Sequence, residues 1–198
     1  MPVDQLADAV SDMSVDECAL VGRVAAGDRS ALDSLYHSYY PRLARFLWRS
    51  IRPREGVEQI IDDAFIEVWR GANDFREAAS VISTWIFGIA YRKALEHLCQ
   101  QRGPAVWFNQ RRSPEPFINA VNDAEFSDWL EQGLGTLAFE QRSTLILAYQ
   151  MGCSLEEIAA ITSAPAGTVK ARMLRAREKL SCFLGAGRTR VSQVIDVN

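Results

Sequence analysis

The chain has 198 residues, enough for one large or two small domains, and 48% of them are hydrophobic, so a core can form. No apolar run reaches the ~18 residues of a membrane span, and the G-x-x-x-x-G-K, H-E-x-x-H and G-x-S-x-G motifs of P-loop proteins, zincins and hydrolases are absent. The net charge of −3 would argue against a nucleic-acid partner if the charge were spread evenly.

The charge is in fact strongly segregated along the chain. Residues 80–112 hold five basic residues and one acidic, and residues 166–190 hold seven basic and one acidic. Residues 113–165, which separate these blocks, hold eight acidic residues and one basic. Two basic blocks separated by an acidic one predict two distinct surfaces that face phosphates.

The N-terminal part is predicted to be a tail followed by two helices. Residues 1–15 carry aspartates at four-residue spacing, which would repel one another on a helix, so an acidic tail is expected. Helices are predicted over 16–26 and 30–51. Pro41 lies inside the second, and we expect it to kink the helix or to divide it into two shorter ones.

Residues 57–72 are predicted to form an amphipathic helix with an apolar inner face. Its outer face carries one arginine, Arg70, and four carboxylates: Glu58, Asp62, Asp63 and Glu67. Charges on the outer face of a helix are usually only solvated. Four carboxylates on one helix nevertheless make a marked acidic surface.

A further helix is predicted over residues 81–102, where an apolar stripe includes Trp85, Ile86 and Ile89. Away from much of that stripe lie aromatic, polar and cationic residues: Thr84, Phe87, Tyr91, Arg92 and Lys93. Such a mixture can stack bases and hold phosphates, or it can form the edge of the core. The spacing leaves both interpretations open.

The C-terminal part begins after a linker predicted over residues 104–122, which contains three prolines. Helices are predicted over 123–137 and 139–151. No strand pattern persists anywhere in the sequence. We therefore expect an all-α protein of two small helical domains joined by a linker.

Residues 154–180 are predicted to form two helices joined by a tight turn. Ser154 and Glu157 form the S-x-x-E capping box, and Pro165 suits the first turn of the second helix. The second helix carries an array of cations: Lys170, Arg172, Arg175, Arg177 and Lys179. This pattern indicates a helix-turn-helix whose second helix enters a DNA major groove. An ordinary helical hairpin with a solvated charged face is the alternative.

The four cysteines are far apart in the sequence, and no C-x-x-C pair occurs. Zinc sites need tighter ligand clusters, so we expect reduced core thiols, no metal and no cofactor. No catalytic constellation is present, and we expect no enzyme activity. The N-terminus lacks the basic and apolar regions of a signal peptide, which predicts a cytoplasmic protein without membrane insertion.

Several stretches, in their order and spacing, resemble the extracytoplasmic-function (ECF) group of the sigma-70 family of bacterial RNA polymerase sigma factors. They include IDDAFIEVWR at 61–70, TWIFGIA at 84–90, SLEEIA at 154–159 and GTVKAR at 167–172. The resemblance implies an acidic tail at 1–15, a sigma-2 domain at 16–103, a linker at 104–122, a sigma-4 domain at 123–184 and a tail at 185–198.

The resemblance also implies a function and partners. Members of this family direct core RNA polymerase to promoters and help to open the duplex, and they are not enzymes. The implied partners are core polymerase, through the clamp helices of its largest subunit and the flap of its second-largest, then promoter DNA, and an anti-sigma factor.

Three sets of site residues follow from the resemblance. For core polymerase they are Glu58, Asp62, Asp63, Phe65 and Glu67. For the −10 promoter element they are Phe75, Arg76, Ser80, Tyr91 and Arg92. For the −35 element they are Thr168, Lys170, Ala171, Arg172, Leu174 and Arg175.

Two other interpretations are open from the residues alone. A two-domain helix-turn-helix regulator that binds duplex DNA, without acting as a polymerase subunit, would account for residues 154–180 equally well. It would leave the acidic helix unexplained. A pure protein-interaction module is the third interpretation, and it predicts no contact with DNA.

Overall fold

The computed structural model describes residues 17–75, 81–102 and 130–195. Within these ranges all regular secondary structure is helical, which confirms the predicted all-α class. The chain divides into two compact units, one mainly from residues 1–48 and 54–101 and the other mainly from 102–159 and 164–198. The predicted tail at 1–15 and linker at 104–122 lie outside the described residues.

The first unit contains four helices in the part of the chain that the structure describes. They are α1 (residues 17–25), α2 (Arg29–Ser50), α3 (Val57–Gly71) and α4 (Ile82–Arg102). A short 3₁₀ turn, Ala72–Asp74, follows α3. The second unit contains α5 (130–135), α6 (Phe139–Tyr149), most of α7 (Leu155–Thr162, whose last three residues are grouped with the first unit) and α8 (Ala166–Ile195). None of the described helices is long and apolar enough to cross a membrane.

Helix α2 begins at Arg29 because Asp28 caps it. One carboxylate oxygen of Asp28 accepts hydrogen bonds from the hydroxyl and the amide of Ser30, at 2.7 and 2.9 Å. The other accepts two from the guanidinium of Arg23, at 2.9 and 2.6 Å. These bonds favour the ionised form, so the Ser30 hydroxyl and then Arg23 lower the pKa of Asp28 from 3.8 to about 2.

Asp28→Asn is expected to lower the melting temperature near neutral pH and to have little effect near pH 2. The folded pKa of Asp28 lies below its unfolded value, so its contribution is complete above about pH 4 and disappears as the pH falls towards 2. Thermal unfolding of both proteins between pH 6 and pH 2 measures the difference. If the difference in melting temperature between the wild type and Asp28→Asn stayed constant across this range, the stabilising role of the ionised Asp28 carboxylate would be contradicted.

Helix α2 runs as one helix through Pro41, so of the two expected outcomes the division into two shorter helices is wrong and the kink stays a prediction. Pro41 is exposed, and the apolar stripe continues on both sides of it, from fully buried Tyr39 to fully buried Leu43. The proline removes one hydrogen bond on the solvent side. Packing of the inner stripe stabilises the helix across this gap, since tertiary contacts provide most helical stability in proteins.

The inner face of α3 is buried as the sequence predicted, at Val57, Ile60, Ile61, Ala64, Phe65 and Val68. The helix starts after Gly56, whose φ of +90° is left-handed. A Cβ at this position would lie 2.5 Å from Cε1 of His97 on α4. The left-handed backbone therefore favours glycine, and any larger residue would also have to displace the His97 ring.

The core of the second unit contains Leu134, Leu137, Leu145 and Ala176, with Leu130 and Leu180 packed against it. Arg142 is also buried, at 5% exposure, and its guanidinium donates to the carbonyls of Leu137 and Gly135 at 2.7 and 3.3 Å. Arg142 thus satisfies carbonyls at the end of α5, a structural role that the sequence did not reveal.

Two further expectations need revision. Helix α8 continues to Ile195, into the segment 185–198 that the sequence interpretation treats as a tail. Glycines in this stretch weaken a helix by about 1 kcal/mol each, but no proline ends it. None of the four cysteines, all of which lie within the described residues, forms a disulfide; Cys182 is exposed and the other three are half-buried, so they are not core residues.

Candidate functional site

The outer face of α3 carries the predicted carboxylates. Glu58, Asp62 and Asp63 are exposed, whereas Glu67 is half-buried, with an oxygen 3.9 Å from Nζ of Lys93 on α4. We call these four carboxylates the acidic face. Glu58 and Asp62 are one helical turn apart, so their negative potentials add over the same part of the surface.

Tyr36 of α2 holds one carboxylate of the acidic face in place. Its hydroxyl donates to Oδ1 of Asp62 at 3.1 Å, and its ring packs edge-on against Phe65 with centroids 4.9 Å apart. Burial, followed by the hydrogen bond to Asp62, raises the pKa of Tyr36 above its usual value of 10. The hydroxyl therefore remains a donor at neutral pH. The sequence did not single out Tyr36 for this contact, because the two residues are far apart along the chain.

Phe65, predicted to contact polymerase, is only 4% exposed. It lines a groove of about 480 Å³ between α2 and α3, together with Arg29, Leu32, Asp33, Tyr36 and Trp69. One turn beyond Asp62 on the same face, Ile66 is 48% exposed. Apolar surface beside carboxylates is a combination that suits a protein partner, because charges orient the encounter while the apolar surface is buried.

The predicted −10 residues are only partly within the described chain. Phe75 is half-buried after the 3₁₀ turn, with its ring centroid 4.9 Å from that of Trp85. Arg76 and Ser80 lie outside the described residues. Arg92 is exposed, as a phosphate or base contact requires.

Tyr91, by contrast, is only 2% exposed in this structure. Phe87 and Thr84 are also buried, at 3% and 8% exposure, so the buried stripe of α4 is wider than the sequence suggested. Of the two interpretations left open for these three residues, burial favours core packing. A direct contact between Tyr91 and DNA stays a prediction and requires its ring to be uncovered first.

Helices α7 and α8 form the predicted two helices with a tight turn. The capping box is present: the amide of Ser154 donates to Oε2 of Glu157 at 2.7 Å, and the amide of Glu157 donates to Oγ of Ser154 at 3.1 Å. In the turn, Ser163 has a left-handed φ of 50°. The carbonyl of Pro165 accepts the first bond of α8, from the amide of Thr168 at 2.8 Å.

Ser154→Ala is expected to destabilise the protein by about 1 kcal/mol, because the substitution leaves a helix N-terminal amide without its side-chain acceptor. Chemical denaturation measures the loss, and hydrogen exchange at the Glu157 amide should accelerate. Ser181→Ala, at an exposed position within α8, is the matched control: it should not destabilise the protein, since alanine is the better helix former, and it should leave exchange at the Glu157 amide unchanged. Equal destabilisation by the two substitutions would contradict the capping role.

Helix α8 is anchored by its inner face and presents the predicted −35 residues on the others. Val169 and Ala176 are fully buried. The outward positions are exposed at Thr168, Lys170, Leu174 and Arg175 and half-buried at Ala171 and Arg172. Leu174 is 59% exposed, an unusual degree for a leucine between cations. A side chain of this kind can contact the methyl group of thymine, while arginines beside it donate to bases or phosphates.

Within the described residues, the cations at the start of α8 form no ion pair. Glu178 is the one carboxylate among the residues 166–190. No ion pair with the described part of the chain therefore neutralises the positive potential of this helix. A helix in a capped two-helix motif, with an uncompensated cationic surface, has the shape and charge that a DNA major groove accepts.

Comparisons with known proteins match both units. The family model described as Sigma-70 region 2 matches residues 35–103, and that described as Sigma-70, region 4 matches residues 127–180. The chain is 30% identical over 166 residues to the ECF RNA polymerase sigma factor SigM of Mycobacterium tuberculosis, covering 84% of this chain and 83% of that protein.

Solved structures show the same fold. CnrH, in complex with the cytosolic domain of CnrY, gives a TM-score of 0.63 at 24% identity over 86% of this chain and 97% of CnrH. The sigma factor RpoE, in complex with the anti-sigma factor NepR from Bartonella quintana, gives 0.59 at 23% identity over 77% of this chain and 96% of RpoE.

Proposed function

The chain belongs to the ECF group of the sigma-70 family, and from this premise we propose that it is the subunit that directs core RNA polymerase to the promoters of a specific regulon and helps to open them. The observation that carries the proposal is the division of charge between two units. The acidic face lies on α3 of the first unit, and the uncompensated cations lie on α8 of the second.

The acidic face is proposed to bind the clamp helices of the largest polymerase subunit. Glu58, Asp62 and Asp63 are accessible to a cationic partner, and Tyr36 fixes the orientation of Asp62. Glu67, half-buried beside Lys93, contributes at the edge of this contact. Phe65 acts through the groove that it lines, as a packing surface rather than as an exposed side chain.

Promoter recognition is proposed to use both units. Phe75, Arg76, Ser80, Tyr91 and Arg92 are assigned to the −10 element, and the exposure of Arg92 supports its part in this set. Thr168, Lys170, Ala171, Arg172, Leu174 and Arg175 are assigned to the −35 element, where their position on the outward faces of α8 supports the assignment. The second unit is also proposed to contact the flap of the second-largest polymerase subunit.

The proposed role is that of a specificity subunit without catalysis of its own, acting in the cytoplasm where the polymerase transcribes. An anti-sigma factor is proposed to hold the protein inactive, and the RpoE–NepR complex of the same fold supports this partner. Affinity purification from the native cell under non-inducing conditions should recover a small partner. Recovery of the chain with no such partner under any growth condition would contradict this part of the proposal.

Run-off transcription tests the function directly. Core polymerase supplied with this chain should initiate from a specific set of promoters, which sequencing of transcripts from genomic DNA identifies. A helix-turn-helix regulator outside the polymerase would instead bind duplex DNA without supporting initiation. That alternative is not favoured, because it does not account for the match of residues 35–103 to Sigma-70 region 2.

A further inference from the structure

The C-terminal half of α2 and the loop after it carry a run of arginines that none of the surfaces above uses. Between Asp33 and Glu55 the chain has no carboxylate and five arginines: Arg42, Arg45, Arg49, Arg52 and Arg54. Trp48 lies within this run and is 45% exposed. We call Arg45, Trp48 and Arg54, which all belong to the first unit, the arginine–tryptophan patch.

Trp48 is held as a surface-exposed ring. The guanidinium carbon of Arg54 lies over it, 5.5 Å from the ring centroid, a distance typical of a cation–π contact. A ring fixed by a guanidinium and open to solvent is a preformed platform on which a flat partner can stack.

Unlike Arg23 and Arg42 of the same unit, Arg45 has no described anion or ring beside it. Arg23 pairs with Asp28 at 2.6 Å, and Arg42 lies over the rings of Tyr39 and Phe87, at 5.1 and 5.6 Å. Arg45 is exposed and forms no ion pair or ring contact with any residue that the structure describes.

Arg52 pairs with Glu131 at 2.7 Å, but the spacing of Arg42, Arg45 and Arg49 on α2 opposes helix formation. Arg45 follows Arg42 by three residues and precedes Arg49 by four, and like charges at these separations destabilise a helix. A bound polyanion would relieve the repulsion. Guanidinium groups, rather than ammonium groups, favour phosphate as that anion, because they donate in a fork that matches two phosphate oxygens.

We propose that the arginine–tryptophan patch binds single-stranded nucleic acid without sequence preference, with phosphates at Arg45 and Arg54 and an unpaired base stacked on Trp48. An acidic protein surface would also satisfy these charges, since tryptophan and arginine are common in protein interfaces, and the test below distinguishes the two partners. The biological setting rests on the proposed function, since a subunit that opens a duplex works beside an unpaired strand. The binding itself requires neither polymerase nor promoter.

The test uses the full chain carrying Arg172→Gln and Arg175→Gln, which weakens binding through α8, and a fluorescent single-stranded DNA of about 15 nucleotides without promoter sequence. Adding Trp48→Leu should lower the affinity about tenfold, the size expected for one lost base stack. Adding Arg45→Gln should reduce the slope of log affinity against log salt by about 0.7, the value for one phosphate contact on a single strand.

Arg29→Gln is the matched control, because it makes the same charge change on an exposed residue of the same helix, about 24 Å away along its axis. It should leave both the affinity and the salt slope unchanged. Photocrosslinking of an oligonucleotide that contains 5-bromodeoxyuridine should label the peptide carrying Trp48. Circular dichroism of each variant should match that of the parent, since the substituted side chains are exposed.

Unchanged affinity after Trp48→Leu, or crosslinks confined to α4 and α8, would overturn the proposal. Weaker binding to core polymerase with unaltered binding to the oligonucleotide would also overturn it, and would assign the patch to an acidic protein surface instead. Failure of the wild-type chain to support run-off transcription would contradict the proposed function. It would not affect the oligonucleotide result, so the two failures are distinguishable.

Discussion

Replacing Arg172 and Arg175 together by glutamine is expected to abolish promoter-specific initiation and to lower the affinity for a duplex carrying the −35 element by about 100-fold or more. A specific arginine contact to a base is worth about 1–3 kcal/mol, so two of them account for this loss. Both side chains lie near the start of α8, where the buried Val169 fixes the helix against the rest of its unit.

Arg177→Gln is the matched control for this experiment. Arg177 is exposed on the same helix and carries the same charge, but it is outside the set assigned to the −35 element. It should lower the affinity for the −35 duplex by less than about threefold, because Arg177 contributes at most one non-specific phosphate contact. Electrophoretic mobility shift and run-off transcription at fixed salt measure both variants. If Arg177→Gln lowered the affinity as much as the double substitution, α8 would bind DNA by general electrostatic attraction and not by specific contacts of Arg172 and Arg175.

Replacing Glu58 by Gln and Asp62 by Asn is expected to weaken binding to core polymerase about 10- to 100-fold, with the larger effect at low salt. The substitutions keep side-chain size and remove two exposed charges from one side of α3. Complementary charge mainly accelerates association, so the association rate should fall more than the dissociation rate rises. Surface plasmon resonance against immobilised core polymerase at several salt concentrations resolves the two rates.

Binding to the isolated −35 duplex should be unaffected by these two substitutions, which separates polymerase docking from DNA recognition. Glu96→Gln is the control, because Glu96 is an exposed carboxylate of the same unit that pairs with Lys93 at 3.1 Å. Exposed ion pairs of this kind contribute little to stability. Unchanged polymerase affinity in the Glu58/Asp62 variant would refute the docking role of the acidic face.

The sequence by itself determined the parts of this protein that depend on local patterns. The apolar periodicity of α3, the capping box at Ser154 and the cations of α8 each depend on residues within one or two turns of each other. Such features can be predicted from the sequence because helical spacing, a cap and a turn each depend only on residues close together in the chain. The two-domain organisation and the family followed from the order of these patterns.

Only the tertiary structure decided which side chains remain accessible and which are held by distant partners. Tyr91 is buried although it lies at the edge of the predicted stripe, Asp62 is oriented by Tyr36, and Arg142 satisfies carbonyls at the end of another helix. The exposure of Trp48 and its contact with Arg54 were likewise decided only by the tertiary structure. Periodicity identifies the inner face of a helix, but the width of that face depends on how many neighbours cover it, and this number arises only when the helices pack.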